Sequence, residues 1–153
     1  IEPGAFPFLN RIGFDFEEEN TLRGDLSELR LEEFQEWFYG RREREISPLR
    51  ELRQELIDED KVLDRLPEED VGYIYLTTRT ERASSGRPGY KGRLTQRYFE
   101  VFEVTFPPHY YDIFRDASRD PDSPTRLVTR REIEDRKTRD GIAIASNCPP
   151  LLV

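Results

Sequence analysis

At Pro67 the hydrophobic period of this chain changes, and that change limits the fold more than any other feature. Upstream, Leu49, Leu52, Leu56, Leu63 and Leu66 recur at helical spacing, after a Ser47 that can cap and a Pro48 suited to the first helical position. Downstream, "VGYIYLTT" (71–78) and "RYFEVFEVTF" (97–106) alternate with period two and are rich in β-branched and aromatic residues. A helix that stops at a proline, followed by two strand-like runs, predicts an α+β chain. The runs suit a long antiparallel hairpin closed by residues 79–93. Two strands alone are marginal, so a further strand is expected from 10–16 or 125–129.

A second amphipathic helix precedes the leucine stripe. Asp25 and Glu28 have capping-box spacing, Leu26, Leu29, Phe34, Trp37 and Phe38 follow at helical intervals, and Gly40 ends the run. The leucine stripe suits plain core, with a seam for a partner helix as the alternative. The fold class is then α+β: two amphipathic helices packed on a small antiparallel sheet, with extended irregular N- and C-terminal arms.

The arms follow from composition. Hydrophobic residues make up 35% of the chain and charged residues 37%, so the core is lean, while 12% aromatics argues against disorder. Residues 1–20 carry Phe6, Phe8, Leu9, Ile12, Phe14 and Phe16, but Pro3, Gly4 and Pro7 interrupt any period. They are expected as an arm laid in a groove of their own domain or of another subunit. Residues 21–115 form the expected core domain, with "HYYDIF" after Pro107 and Pro108 as a short turn or helix. Residues 116–153 are expected as a charged, largely irregular arm with a brief helix over 129–137, since Thr129 and Glu132 repeat the capping-box spacing.

Charge divides the chain further. The net charge is −8, and residues 1–70 hold about twice as many acidic as basic side chains, whereas 71–115 are mildly basic. Arg79, Arg82, Arg87, Tyr90, Lys91 and Arg93 gather in and beside "RASSGRPGYKGR" (82–93). Such a loop can present N–H groups and cations to phosphate, with Tyr90 to stack on a base. A pI near 4.9 opposes independent binding of nucleic acid, so docking to protein is favoured over phosphate. Arg outnumbers Lys, of which there are only Lys61, Lys91 and Lys137; this suits interfaces, and codon bias explains it equally well.

Chemical motifs are sparse. One cysteine, Cys148, excludes a disulfide framework and a cysteine-built zinc site, and one histidine excludes a zinc-helix motif. No apolar run is long enough to span a bilayer. Phosphate-loop, dinucleotide and nucleophile-elbow patterns are absent, and no cofactor is expected. His109, with Asp112 nearby, and Glu100, which interrupts an aromatic strand face, are the two candidates for acid–base work. The pair "YIYLTT" and "RYFEVFEV" is similar to the strand pair of ADP-ribosyltransferase-like folds. That resemblance implies an upstream nucleotide-clamping residue and a late catalytic Glu, and neither is placed here. A start at Ile1 without any methionine suggests a processed product or a piece of a longer chain, with an organelle or secreted location after loss of a targeting segment.

Taken together, these features predict a non-enzymatic structural or interaction subunit of a multiprotein, hetero-oligomeric complex, touching its neighbours through both arms and the 79–93 loop. The first alternative is a phosphate- or RNA-contacting subunit of a ribonucleoprotein. The second is a small transferase or hydrolase using Glu100 or His109.

Overall fold

A computed structural model describes residues 2–18, 22–85, 89–144, 148 and 151–152. The chain is α+β, and the described residues form five helices and two small antiparallel sheets. It divides into two compact units, Ile1–Ser47 and Pro48–Val153.

In the first unit, α1 (Ala5–Arg11) is followed by the short strands β1 (Asp15–Phe16) and β2 (Gly24–Asp25), a 3₁₀ turn (Glu28–Arg30) and α2 (Leu31–Gly40). Of the segment expected as an irregular arm, Ala5–Arg11 is therefore helical. Pro3 precedes α1 and Pro7 lies in its first turn, where no intrahelical N–H is needed, so neither proline breaks it. Ala5 and Leu9 are fully buried. The aromatic residues find cover within their own unit: Phe8 stacks on Trp37 at 5.3 Å, and Phe14 on Phe34 at 5.7 Å.

The helix expected to start at Asp25 starts later. Asp25 is drawn into β2 opposite Asp15, and α2 starts only after the 3₁₀ turn. Gly40 is the last helical residue, and Arg41 takes the left-handed position beyond it (φ 52°). Arg44, only 4% exposed, closes this end: its Nε and Nη2 donate to the Phe38 carbonyl at 3.0 and 2.8 Å, with the guanidinium 4.0 Å over the Phe38 ring. A cation there satisfies carbonyls the helix leaves open and complements its dipole.

The second unit opens with α3, which is α-helical over Leu49–Arg53 and widens to π-helix over Gln54–Glu59. Its helical geometry ends before Leu63 and Leu66, yet both are buried with Leu49, Val71, Tyr110 and Phe114, against Leu52, Leu56, Val104 and Phe106. The leucine stripe is core, as read, although a non-helical chain delivers its last two members. The Arg53 Nε donates to the Leu66 carbonyl at 2.9 Å and ties that chain back to the helix.

Then β3 (Gly72–Ser84) pairs antiparallel with β4 (Leu94–Thr105), with a bulge between Tyr75 and Thr77. Both strands run further than their apolar cores suggest, so Arg79 and Arg82 are strand residues rather than loop. The third strand expected for this sheet does not join it among the described residues: Asp15–Phe16 pairs with Gly24–Asp25 instead. Pro107 and Pro108 start α4 (Pro108–Arg119), which buries Tyr110 and Phe114. The Tyr110 hydroxyl donates to Asp70 Oδ2 at 2.8 Å, and that carboxylate holds the phenol above its ordinary range. Arg126 gathers the following loop by donating to the carbonyls of Pro121, Ser123 and Thr125. The short α5 (Arg130–Asp135) has the expected capping box between Thr129 and Glu132. No helix among the described residues is long and apolar enough to cross a membrane.

Candidate functional site

The outer side of α3 is built against local preference. Glu51, Glu55 and Glu59 repeat every four residues, which stacks like charges on one helix face and weakens a helix. Asp58 and Asp60 add to the same turn. The backbone widens there: the Asp60 N–H donates to the Glu55 carbonyl at 2.8 Å, five residues back, and single π turns of this kind frequently mark functional sites. What holds the segment is its other side, where Leu49, Leu52, Leu56 and Ile57 enter the core.

Polar contacts then orient the ridge. Arg50 Nη1 donates to Gln54 Oε1 at 3.4 Å, and Gln54 Nε2 donates to Glu59 Oε1 at 2.8 Å. The Thr125 hydroxyl donates to Asp60 Oδ2 at 2.9 Å, fixing that carboxylate from a distant loop. Glu55 is pushed above its ordinary carboxylate range, first by partial loss of hydration and then by the charges of Glu51, Glu59 and Asp60. A carboxylate with raised proton affinity is a better base toward water near neutral pH. Oxygen donors of this type suit hard cations, but among the described residues no three Asp, Glu, His or Cys side chains come together as a metal-holding group.

The residues expected around the basic loop are spread out. Arg79 and Arg82 lie three apart on β3 and so take opposite faces of the strand, opposite Phe99 and Gln96. Arg82 Nε donates to Gln96 Oε1 at 3.2 Å. Tyr90, Lys91 and Arg93 belong to the turn region, where the Arg93 guanidinium sits 5.2 Å over the Tyr90 ring and the Arg93 N–H donates to the Tyr90 carbonyl at 3.0 Å. Gly89 and Gly92, at φ 84° and 87°, give this turn its left-handed positions. Arg87 lies outside the described residues.

The two acid–base candidates read from sequence lie on other elements, α4 and β4, while Glu55 on α3 is, like His109, exposed. His109 is exposed in the first turn of α4 with its ring 4.3 Å from that of Tyr110, and Asp112 is engaged by Arg115 at 2.7 Å. Glu100 is half-buried on β4 opposite Thr78. Glu55 escaped the sequence reading because the leucine stripe dominates residues 49–66. The indication was present in the like-charged repeat on the opposite side of that stripe, a local conflict of the kind expected at functional positions.

A family model described as the SMODS-associated NUDIX domain matches residues 5–151, while comparisons with curated proteins and with solved structures gave no match. That domain is a hydrolase-type fold, and it overturns the expectation of a non-enzymatic structural subunit within a multiprotein complex. The expectation had rested on apolar ends with no cover of their own, whereas the N-terminal aromatics are packed within their own unit. Of the alternatives, the small hydrolase fits the match better, and the likeness of the strand pair to ADP-ribosyltransferase-like folds is not carried further. Because the match takes in nearly the whole chain, from α1 to the last described residues, this protein belongs to the SMODS-associated NUDIX domain family.

Proposed function

We propose that the chain is a small hydrolase in which Glu55 serves as the general base. The observation that carries this reading is the setting of Glu55 within a chain of hydrolase-type family: an exposed carboxylate on the π-helical turn, raised by partial loss of hydration and by the charges of Glu51, Glu59 and Asp60. In the step it would perform, Glu55 takes a proton from a water as the water oxygen bonds to the electrophilic centre. The bond to the leaving group then breaks, and the leaving group takes up a proton in its turn. Glu51, Glu59 and Asp60 maintain the proton affinity of the base, while Gln54 and Thr125 hold Glu59 and Asp60 in place.

The same negative charges repel a bare anion. The reacting group is therefore neutral, or it arrives with its charge screened by a cation. A hydrolysis screen of the purified chain on carboxylic esters, amides, phosphate esters and phosphoanhydrides, the last two with Mg²⁺ present, tests the proposal. Activity that falls on the order of 10²–10⁴-fold in Glu55→Gln supports it. Hydrolysis that survives this substitution undiminished removes Glu55 from the mechanism.

A further inference from the structure

The loop after α4 is tied together more closely than a connection requires. Arg126, half-buried, donates from Nη1 to the carbonyls of Ser123 and Thr125 at 2.6 and 2.8 Å, and from Nη2 to that of Pro121 at 3.2 Å. The Asp122 N–H donates to Asp120 Oδ1 at 2.9 Å, the Thr125 N–H to Ser123 Oγ at 3.2 Å, and the Leu127 N–H to Ser118 Oγ at 2.9 Å. A planar guanidinium that gathers three carbonyls fixes the shape of a loop. What this shape presents is the Thr125 hydroxyl, which donates to Asp60 Oδ2 at 2.9 Å across 65 residues of chain.

Asp60 is where such a hold is needed. It ends the π-helical stretch, where the helix dipole opposes an anion, and Lys61 after it takes the left-handed region at φ 53°. Its backbone is fixed already. The Asp60 N–H donates to the Glu55 carbonyl at 2.8 Å, and the Val62 and Leu63 N–H groups both donate to the Leu56 carbonyl, at 2.9 and 3.0 Å. Only the direction of the carboxylate remains to be set, and beside Glu55 and Glu59 a released carboxylate swings out into water. We propose that Arg126 is a positioning residue for the acidic ridge: it shapes residues 120–127 so that Thr125 keeps the Asp60 carboxylate beside Glu55. The catalytic meaning of this clamp rests on the reading of Glu55 as the general base, whose proton affinity Asp60 then sustains. Part of the charged C-terminal segment thereby serves the site of its own chain.

NMR titration of the Glu55 side-chain carboxyl in the full chain tests this without any substrate. Glu51, Glu59 and Asp60 are the charges that raise Glu55, so releasing Asp60 lowers its midpoint. Thr125→Val, close in shape but without the hydroxyl, should move the midpoint down by about 0.2–0.4 pH unit, and Thr125→Ser should leave it at the wild-type position. Arg126→Lys, which keeps the charge but not the planar fork, and Arg126→Gln, which loses both, should each shift it downward by a similar amount. In an Asp60→Asn background none of these substitutions should move it further, because the charge they act through is gone. Circular dichroism confirms that each variant is folded. A midpoint that stays at the wild-type value in Thr125→Val or in either Arg126 variant, or further shifts in the Asp60→Asn background, would overturn the proposal. Should the titrations follow expectation while Glu55→Gln keeps full hydrolysis, the clamp stands and the general-base reading falls.

Discussion

Glu55 on α3 and Glu132 on α5 are the same side chain on helices of the same unit, and the fold treats them in opposite ways. Glu132 accepts from the Thr129 N–H at 2.8 Å, from the Thr129 hydroxyl and from the Arg139 N–H, and these donors hold its carboxyl below the ordinary range. Glu55 is raised by lost hydration and by three carboxylates. The first carboxylate completes a capping box and stabilises its helix as an anion. The second is kept in a setting that opposes its charge, on a helix whose α geometry is itself interrupted. A carboxylate surrounded by donors is explained by structure alone. One surrounded by its own kind is the setting that the proposed general base uses.

The comparison breaks most visibly if the support beneath the acidic ridge is removed. Leu66, 3% exposed, lies in the cluster that seats α3, and Leu66→Ala should lower unfolding stability by about 2–5 kcal/mol in urea titration. Activity should fall with it, since the packing beneath α3 seats Glu55. Leu29, 91% exposed, serves as the control: Leu29→Ala should stay within about 0.5 kcal/mol of the wild type.

A smaller effect separates the two glutamates directly. Because the folded value of Glu55 lies above the unfolded 4.5, its contribution to stability is fully present below that pH and is lost as pH rises through the folded value. Glu55→Gln should therefore gain on the wild type as pH rises from 4.5 toward neutrality. Glu132 has the opposite sign: its contribution is present above 4.5 and is lost as pH falls through the folded value, so Glu132→Gln should lose stability most at neutral pH. Thermal unfolding of the three proteins across pH measures both trends, and trends of the same sign would dissolve the contrast. The smallest effect is Glu51→Gln, which relieves one like-charged neighbour. It also gives up the exposed ion pair with Arg50 at 3.3 Å, so stability should stay within about 0.5 kcal/mol of the wild type while the Glu55 titration moves downward, as read by NMR of the side-chain carboxyl.

The two regions also differ in how far sequence discloses them. The capping box at Thr129 and Glu132 was legible because both partners lie within one turn and the motif is local. The hairpin was legible because β-branched and aromatic residues alternate over long runs, although charged residues extend both strands beyond those runs. The helix at residues 5–11 was not, since prolines read as breakers without regard to their place in the first turn, where they are harmless. The π-helical stretch at 54–59 was not legible, because the like-charged repeat of Glu51, Glu55 and Glu59 weakens an α-helix without saying what geometry replaces it. Leu63 and Leu66 kept the spacing of a helix that had already ended. Glu55 was obscured because an apolar stripe attracts notice before the charges behind it.

The most direct test is the pH dependence of kcat/KM on whichever substrate the hydrolysis screen identifies, for wild type, Glu51→Gln and Glu55→Gln. If Glu55 is the base, the wild-type rate climbs with a midpoint above 4.5, the midpoint moves down in Glu51→Gln, and the climb disappears with the activity in Glu55→Gln. A Glu55→Gln profile that overlays the wild type would contradict the assignment.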